Sequence, residues 1–248
     1  MALNISVAAE PIFQLGPLLV TNSFFTSWIV IGLLILFSLW FSGQILTDKP
    51  KGISVQNFVE IIIGGFLAFF TQIVGEKKAR EFFPLAATLF LFILLSNWFG
   101  LLPGVGSLGI WETHQGEKVL VPLFRAATAD INTTLALAII VVALVQYYGL
   151  KTLGAKYIKK FLNFSDPLYF SVGLLELVGE FTRIISFAFR LFGNIFAGEV
   201  LLTVMAFILP FLAPLPFLGL EVFVGLIQAL VFVMLTLVFL SVATSEQH

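Results

Sequence analysis

The chain has no cysteine, which excludes disulfides and thiolate-ligated metal centres. Histidine is nearly absent too. His114 and His248 are too few and too far apart for an imidazole metal site. Charge is scarce: 11% of the 248 residues are charged, where a soluble globular domain carries about 25%. The net charge of −1 gives no sign of a nucleic-acid partner. No lysine or arginine precedes Lys49. The N-terminal stretch therefore lacks the basic segment of a secretory signal, and it is expected to be retained. A glycine-rich phosphate loop is also missing, so the chain is not expected to bind a nucleotide. Neither a metal nor a cofactor is expected.

What is there is apolar. Hydrophobic residues make up 59% of the chain, and the mean hydropathy is +1.06. Such a chain cannot cover itself with polar surface, so lipid must be part of its solvent. The apolar runs are long enough for helices that cross a bilayer, which need about 20 residues. They are 24–42, 82–102, 131–150 and a long stretch from Tyr169 to Val242. Pro210, Pro214 and Pro216 break the last into two long helices joined by a turn.

The stretch Val55–Val74 is also apolar, but Gln56, Asn57, Glu60, Gly64, Gly65, Thr71 and Gln72 interrupt it. The basic residues guide its placement. If it does not span, Lys49, Lys51, Lys77, Lys78, Arg80, Lys151, Lys156, Lys159 and Lys160 all fall on one side. The opposite loop holds Lys118 and Arg125. The positive-inside rule makes the basic side cytoplasmic. The reading is an all-α membrane protein, one domain over 1–248. It has about five transmembrane helices and one interfacial or re-entrant helix at 55–74. The N-terminus is outside and the C-terminus inside.

Charged groups within a membrane helix cost about 2.5–3.5 kcal/mol each on insertion scales, so each requires a reason. The last two helices carry Glu176, Glu180, Arg183, Arg190, Asn194, Glu199, Glu221 and Gln228. Glu176, Arg183 and Arg190 recur every seven residues and share a helix face, and Asn194 follows one turn later. With the turn centred on Pro210, Glu199 lies eleven residues before it and Glu221 eleven after. Arg190 lies twenty before and Gln228 eighteen after. Two layers are predicted: paired carboxylates nearer the outside, and an Arg/Gln pair nearer the middle. Arg190 is a charge that cannot be neutralised by deprotonation. Its own helix offers no acid on the same face at the same depth, which points to an anionic partner on another subunit.

These residues carry a resemblance. The run FAFRLFGNIFAGE, Phe187 to Glu199, resembles the signature of subunit a of F-type ATP synthases. The last helix with Gln228 (GLIQALVFVMLTLVFLS), SNWFGLLP from Ser96 and TADINTTLALA from Thr128 are similar to family segments in the same order. The resemblance covers the chain from about residue 24 to the end. It implies a non-catalytic subunit whose two long helices form a tilted hairpin against a ring of rotor c subunits. It further implies b-type peripheral-stalk partners within the ATP synthase complex, and a bacterial inner membrane rather than an organellar one.

By the same resemblance Arg190 is the essential coupling charge, and it suppresses direct leakage between two half-channels. Glu199 and Glu221 match outer half-channel positions, Asn194 and Gln228 polar positions near the arginine, and Glu176 an inner half-channel position. Arg183 matches a basic position, with Glu180 beside it at i, i+3. Some family members place a histidine at one of the outer acidic positions, and both are Glu here. The implied coupling ion is a proton, with sodium the alternative.

Blander readings stand beside these. Arg190 could be a structural arginine, Glu199 and Glu221 a hydrogen-bonded pair, and Glu180 with Arg183 a simple ion pair. Asn132 and Thr133 read as interhelical hydrogen-bonding groups. His114 reads as an exposed loop residue. A secondary transporter would show repeats or broken helices at midplane, and neither is visible. A membrane scaffold would match its polar stripe within its own chain.

Overall fold

A computed structural model of the chain describes residues 8–47, 55–102, 104–105, 108–114, 117–161, 167–210 and 212–245. Lys49, Lys51 and His248, counted above, lie outside the described residues, as do the side chains of His114, Lys118, Lys159 and Lys160. The chain opens with a short antiparallel hairpin, β1 (Pro11–Leu15) and β2 (Leu18–Thr21). Three helices follow: α1 (Asn22–Thr47), α2 (Val55–Val74) and α3 (Glu76–Phe99). A second antiparallel hairpin, β3 (Gly109–His114) and β4 (Glu117–Pro122), precedes α4 (Ile131–Leu153). Then come the short α5 (Ala155–Phe161) and the two long helices α6 (Pro167–Ile208) and α7 (Pro214–Ala243).

The all-α membrane character is as expected. Six of the helices are long and apolar enough to cross a membrane. By that measure α2 joins the five runs read as spanning, since Asn57–Val74 stays apolar enough despite its polar interruptions. Its neighbours set its net course. Thr26, in the first turns of α1, accepts a hydrogen bond from the Arg125 backbone N–H, 3.3 Å away, at the end of the bundle where both β-hairpins lie. Ile31 and Phe92, then Leu34 and Thr88, line one groove, so α1 runs antiparallel to α3 and leads away from that end. α3 starts at the opposite, basic end, where Lys78 Nζ donates to the Ser241 carbonyl (2.7 Å) in the last turn of α7 and to Ser245 Oγ (2.6 Å) just beyond it. α2 runs back along α3, antiparallel to it, with Phe66 against Phe90 (4.5 Å) and Phe70 against Phe83 (6.0 Å). It turns directly into α3 at Gly75, whose φ of 81° is open to glycine and strained for other residues.

The core lies where α3, α4, α6 and α7 meet. Phe82 and Ile93 of α3, Val141 and Val145 of α4, Leu191 of α6 and Val233 and Leu237 of α7 are fully buried there. α1 and α2 instead present large apolar side chains outward, Leu39 and Ile61 among them. This is the pattern of a surface solvated by lipid.

The prolines build the C-terminal hairpin. Pro214 and Pro216 fall in the first turn of α7, where a missing N–H breaks no helical bond. The α6–α7 pairing is antiparallel: Phe187 meets Phe232 edge to face at 4.8 Å, and Gly198 lies against Glu221. Both contacts place the centre of the turn at Pro210. With 42 residues, α6 is about 63 Å long at 1.5 Å per residue. The hydrocarbon core is about 30 Å thick. Exposed apolar residues run the length of the helix, from Leu168 to Ile208. An upright α6 would leave half of them in water, so the helix must lie strongly tilted.

Candidate functional site: a buried polar belt and an exposed arginine

The hairpin end of the bundle holds an unusual density of buried polar groups. Asp130 caps α4, accepting from the Asn132 backbone N–H (3.0 Å) and from Ser23 Oγ (2.7 Å). The sequence favours this cap, since an Asp just before an apolar run satisfies first-turn N–H groups. Asn132, read as an interhelical hydrogen-bonding group, instead serves the start of its own helix, its side-chain amide donating to Asp130 Oδ1 at 3.2 Å. Asn97, near the end of α3, donates to the Gly225 carbonyl of α7 (2.9 Å) and accepts from Thr128 Oγ1. The Trp98 indole donates to the Val222 carbonyl (3.0 Å). These bonds lock α3 to the turn of α7 that follows Glu221.

Glu199 and Glu221 come together at this end, at the matched depth the turn predicts. Both line a cavity of about 210 Å³ with Asn97, Arg125 and Thr203. Glu221 is buried. Its carboxylate lies directly against the backbone of Gly198, so a Cβ at that position would overlap it. Glycine is required at 198 for this close approach.

Arg125, which the sequence reading left in a loop, joins this cluster. Its side chain is 5% exposed, and Nε donates to Glu199 Oε2 at 3.1 Å. A terminal nitrogen donates to the Ala8 carbonyl (3.1 Å), and the guanidinium lies 5.6 Å from the Phe196 ring. The available signal was weak: a lone arginine in the small, apolar run PLFRAATA. The pair is asymmetric. The Glu199 side chain is 40% exposed, whereas that of Arg125 is almost fully enclosed. Removing one partner of a buried pair costs about 3–5 kcal/mol, chiefly by stranding the other charge. Glu199→Leu takes the carboxylate from an almost fully buried guanidinium, and Arg125→Leu takes the guanidinium from a carboxylate that is 40% exposed. Thermal melting in detergent is therefore expected to show Glu199→Leu as the less stable variant, and the reverse order would refute this asymmetry.

Arg190 is placed differently. It is exposed, and among the described residues its one hydrogen bond runs to Ser186 Oγ at 3.2 Å, with no carboxylate in ion-pair range. Ser186, Arg190 and Asn194 occupy successive turns on an open face of α6, beside exposed Ile185 and Phe189. Gln228 is half-buried on α7, and the Pro210-centred pairing gives it the depth of Arg190. The stripe read from the heptad spacing divides at its side chains. Arg183 turns inward, bound to both oxygens of Glu180 (2.7 and 2.8 Å) and 3.8 Å from the Phe239 ring. Glu176 is half-buried at the basic end of α6. The belt thus brings Glu199 and Glu221 together with Arg125, while Arg190 and Asn194 stand on the outer face and Glu176, Glu180 and Arg183 lie further along α6.

The model of the family described as ATP synthase A chain matches residues 24–241. Among curated relatives, the ATP synthase subunit a of Geotalea daltonii is 37% identical over 225 residues, covering 90% of this chain and 87% of its own. That of Desulfotalea psychrophila is 39% identical over 226 residues, 90% of this chain and 84% of its own. That of Gloeobacter violaceus is 36% identical over 244 residues, 98% of this chain and 92% of its own. With nearly the whole chain matched in this way, it belongs to the ATP synthase A chain family.

Proposed function

We propose that this chain is the ion-translocating stator subunit of a rotary F-type ATP synthase, and that it makes no covalent bonds itself. Arg190 carries this reading. A permanent cation on an apolar, lipid-facing surface is costly unless an anion meets it there. None does within the described chain. The anion that fits is a carboxylate presented by each subunit of a rotor c ring passing along the tilted α6–α7 hairpin.

In this reading Glu199, Glu221 and the cavity between them form an outer half-channel that delivers a proton towards the rotor. Asn194 and Gln228 flank the transfer point. Glu176 serves the inner half-channel, with Glu180 and Arg183 bracing α6 against α7. Arg190 favours the ionised rotor carboxylate and repels protons that would cross directly. The α1–α3 side, with its outward apolar residues, faces lipid and b-type stalk subunits. The basic end is cytoplasmic and the hairpin end lies outside a bacterial inner membrane. One elementary charge crossing 100 mV releases about 2.3 kcal/mol, so several must pass for each ATP formed.

ATP-driven acidification of vesicles containing the assembled complex, in sodium-free buffer, tests this reading. Wild type is expected to acidify the lumen. Glu221→Leu is expected to lower the rate at least ten-fold with ATP hydrolysis retained. Acidification that requires sodium would overturn the proton assignment. An unimpaired Glu221→Leu would overturn the outer path.

A further inference from the structure

The basic end holds a second polar cluster, of which the proposed function uses only Glu176 and its neighbours on α6. After α4 the chain reverses at Gly154, with φ 57°, and α5 folds back over the bundle. Tyr157 of α5 is 5% exposed. Its ring lies flat on Gly149, where a Cβ would come within 2.5 Å of a ring carbon. Its hydroxyl donates to Gln146 Oε1 at 2.8 Å. Tyr157 also lies close enough to Glu180, Arg183 and Glu176 of α6 for their charges to act on it.

This geometry fixes Gln146. Its oxygen is held by Tyr157, and its Nε2 is buried without a hydrogen-bond partner. An unsatisfied buried donor costs about 1–3 kcal/mol. A donor held this way beside an acidic helix face suits a bridging water, which is enthalpically nearly as good as a direct hydrogen bond. Burial pushes the Tyr157 hydroxyl up to about 12, Glu180 and Glu176 adding to the rise and Arg183 opposing it. Tyr157 therefore remains a neutral donor, and the amide keeps its orientation.

We propose that Gln146 and Tyr157 are positioning residues of the inner ion path, holding the water through which Glu176 exchanges protons with the basic side. The inference rests on the half-channel reading above and extends it from α6 to α4 and α5. Neither residue carries the charge itself. Tyr157 sets the Gln146 amide, and the amide orients the water.

The chain has no native cysteine, so a single introduced thiol reports access directly. In the assembled complex, the thiol introduced by Gln146→Cys is expected to react with a membrane-impermeant methanethiosulfonate supplied on the basic side. Modification is expected to cut ATP-driven pumping at least five-fold. Tyr157→Phe keeps the ring on Gly149 and removes only the hydroxyl, and it is expected to lower pumping about three-fold with hydrolysis unchanged. An unreactive thiol at 146, or Tyr157→Phe pumping at the wild-type rate, would overturn the proposal. Either result would leave the half-channel reading standing as long as Arg190→Ala still abolishes pumping.

Discussion

Gly198→Val is expected to lower ATP-driven pumping more than ten-fold. The glycine backbone is in contact with the Glu221 carboxylate, and a Cβ would occupy the carboxylate's position. The acid can yield only by turning into the cavity that it lines with Glu199. Asn97 and Trp98 hold the α7 carbonyls at Gly225 and Val222, so the helix around Glu221 is pinned to α3. Overpacking of this kind costs about 1–3 kcal/mol. That loss is small enough for the complex to assemble, but the carboxylate must give up its place against Gly198. The defect should therefore appear in ion movement before it appears in stability. Gly198→Ala, the smaller change, should be partly rescued by Glu221→Asp, which withdraws the carboxylate by one methylene. A rescue of at least three-fold in pumping is expected. If Gly198→Val pumps normally, Glu221 has freedom that this packing denies it.

The C-terminal hairpin was legible in the sequence because proline fixes its turn. Once Pro210 is taken as the centre, helical rise alone pairs Glu199 with Glu221 and Arg190 with Gln228. The contacts of Phe187 with Phe232 and of Gly198 with Glu221 agree with that register. The distribution of lysines reads α2 as interfacial or re-entrant, whereas by length and apolarity it is one of six candidate spans. Arg125 was not legible. By sequence it sits in a loop, and its burial arises only when α1, the N-terminal segment and α6 converge on it. Tyr157 was hidden for a related reason. The run AKYIKK reads as a basic surface, and the fold-back of α5 buries one residue of it. The β3–β4 hairpin was read as an exposed loop around His114, because its strands are short and the rest of the chain has helical periodicity. Heptad spacing placed Arg183 and Arg190 on one face correctly for their backbones. Long side chains then diverge according to partner, Arg183 to Glu180 and Phe239, Arg190 to none of the acids among the described residues.

The central claim concerns Arg190. A carboxylate about 4 Å from a fixed cation gains about 4 kcal/mol at an effective dielectric of 20. At 1.36 kcal/mol per unit, that shifts its pKa down by about three units. A rotor carboxyl that is neutral while facing lipid would thus ionise when it meets Arg190 and take up its proton again after passing. Alanine removes this shift and the barrier to direct leakage together. Lysine is a poor substitute, since a desolvated ammonium can lose its proton and a guanidinium cannot. The most direct measurement is ATP-driven proton pumping in vesicles containing the assembled complex, Arg190→Ala against wild type, with hydrolysis followed in the same preparation. Pumping abolished while the complex assembles and hydrolyses ATP is the predicted result. Pumping near the wild-type rate would contradict the account and leave Arg190 a structural surface charge.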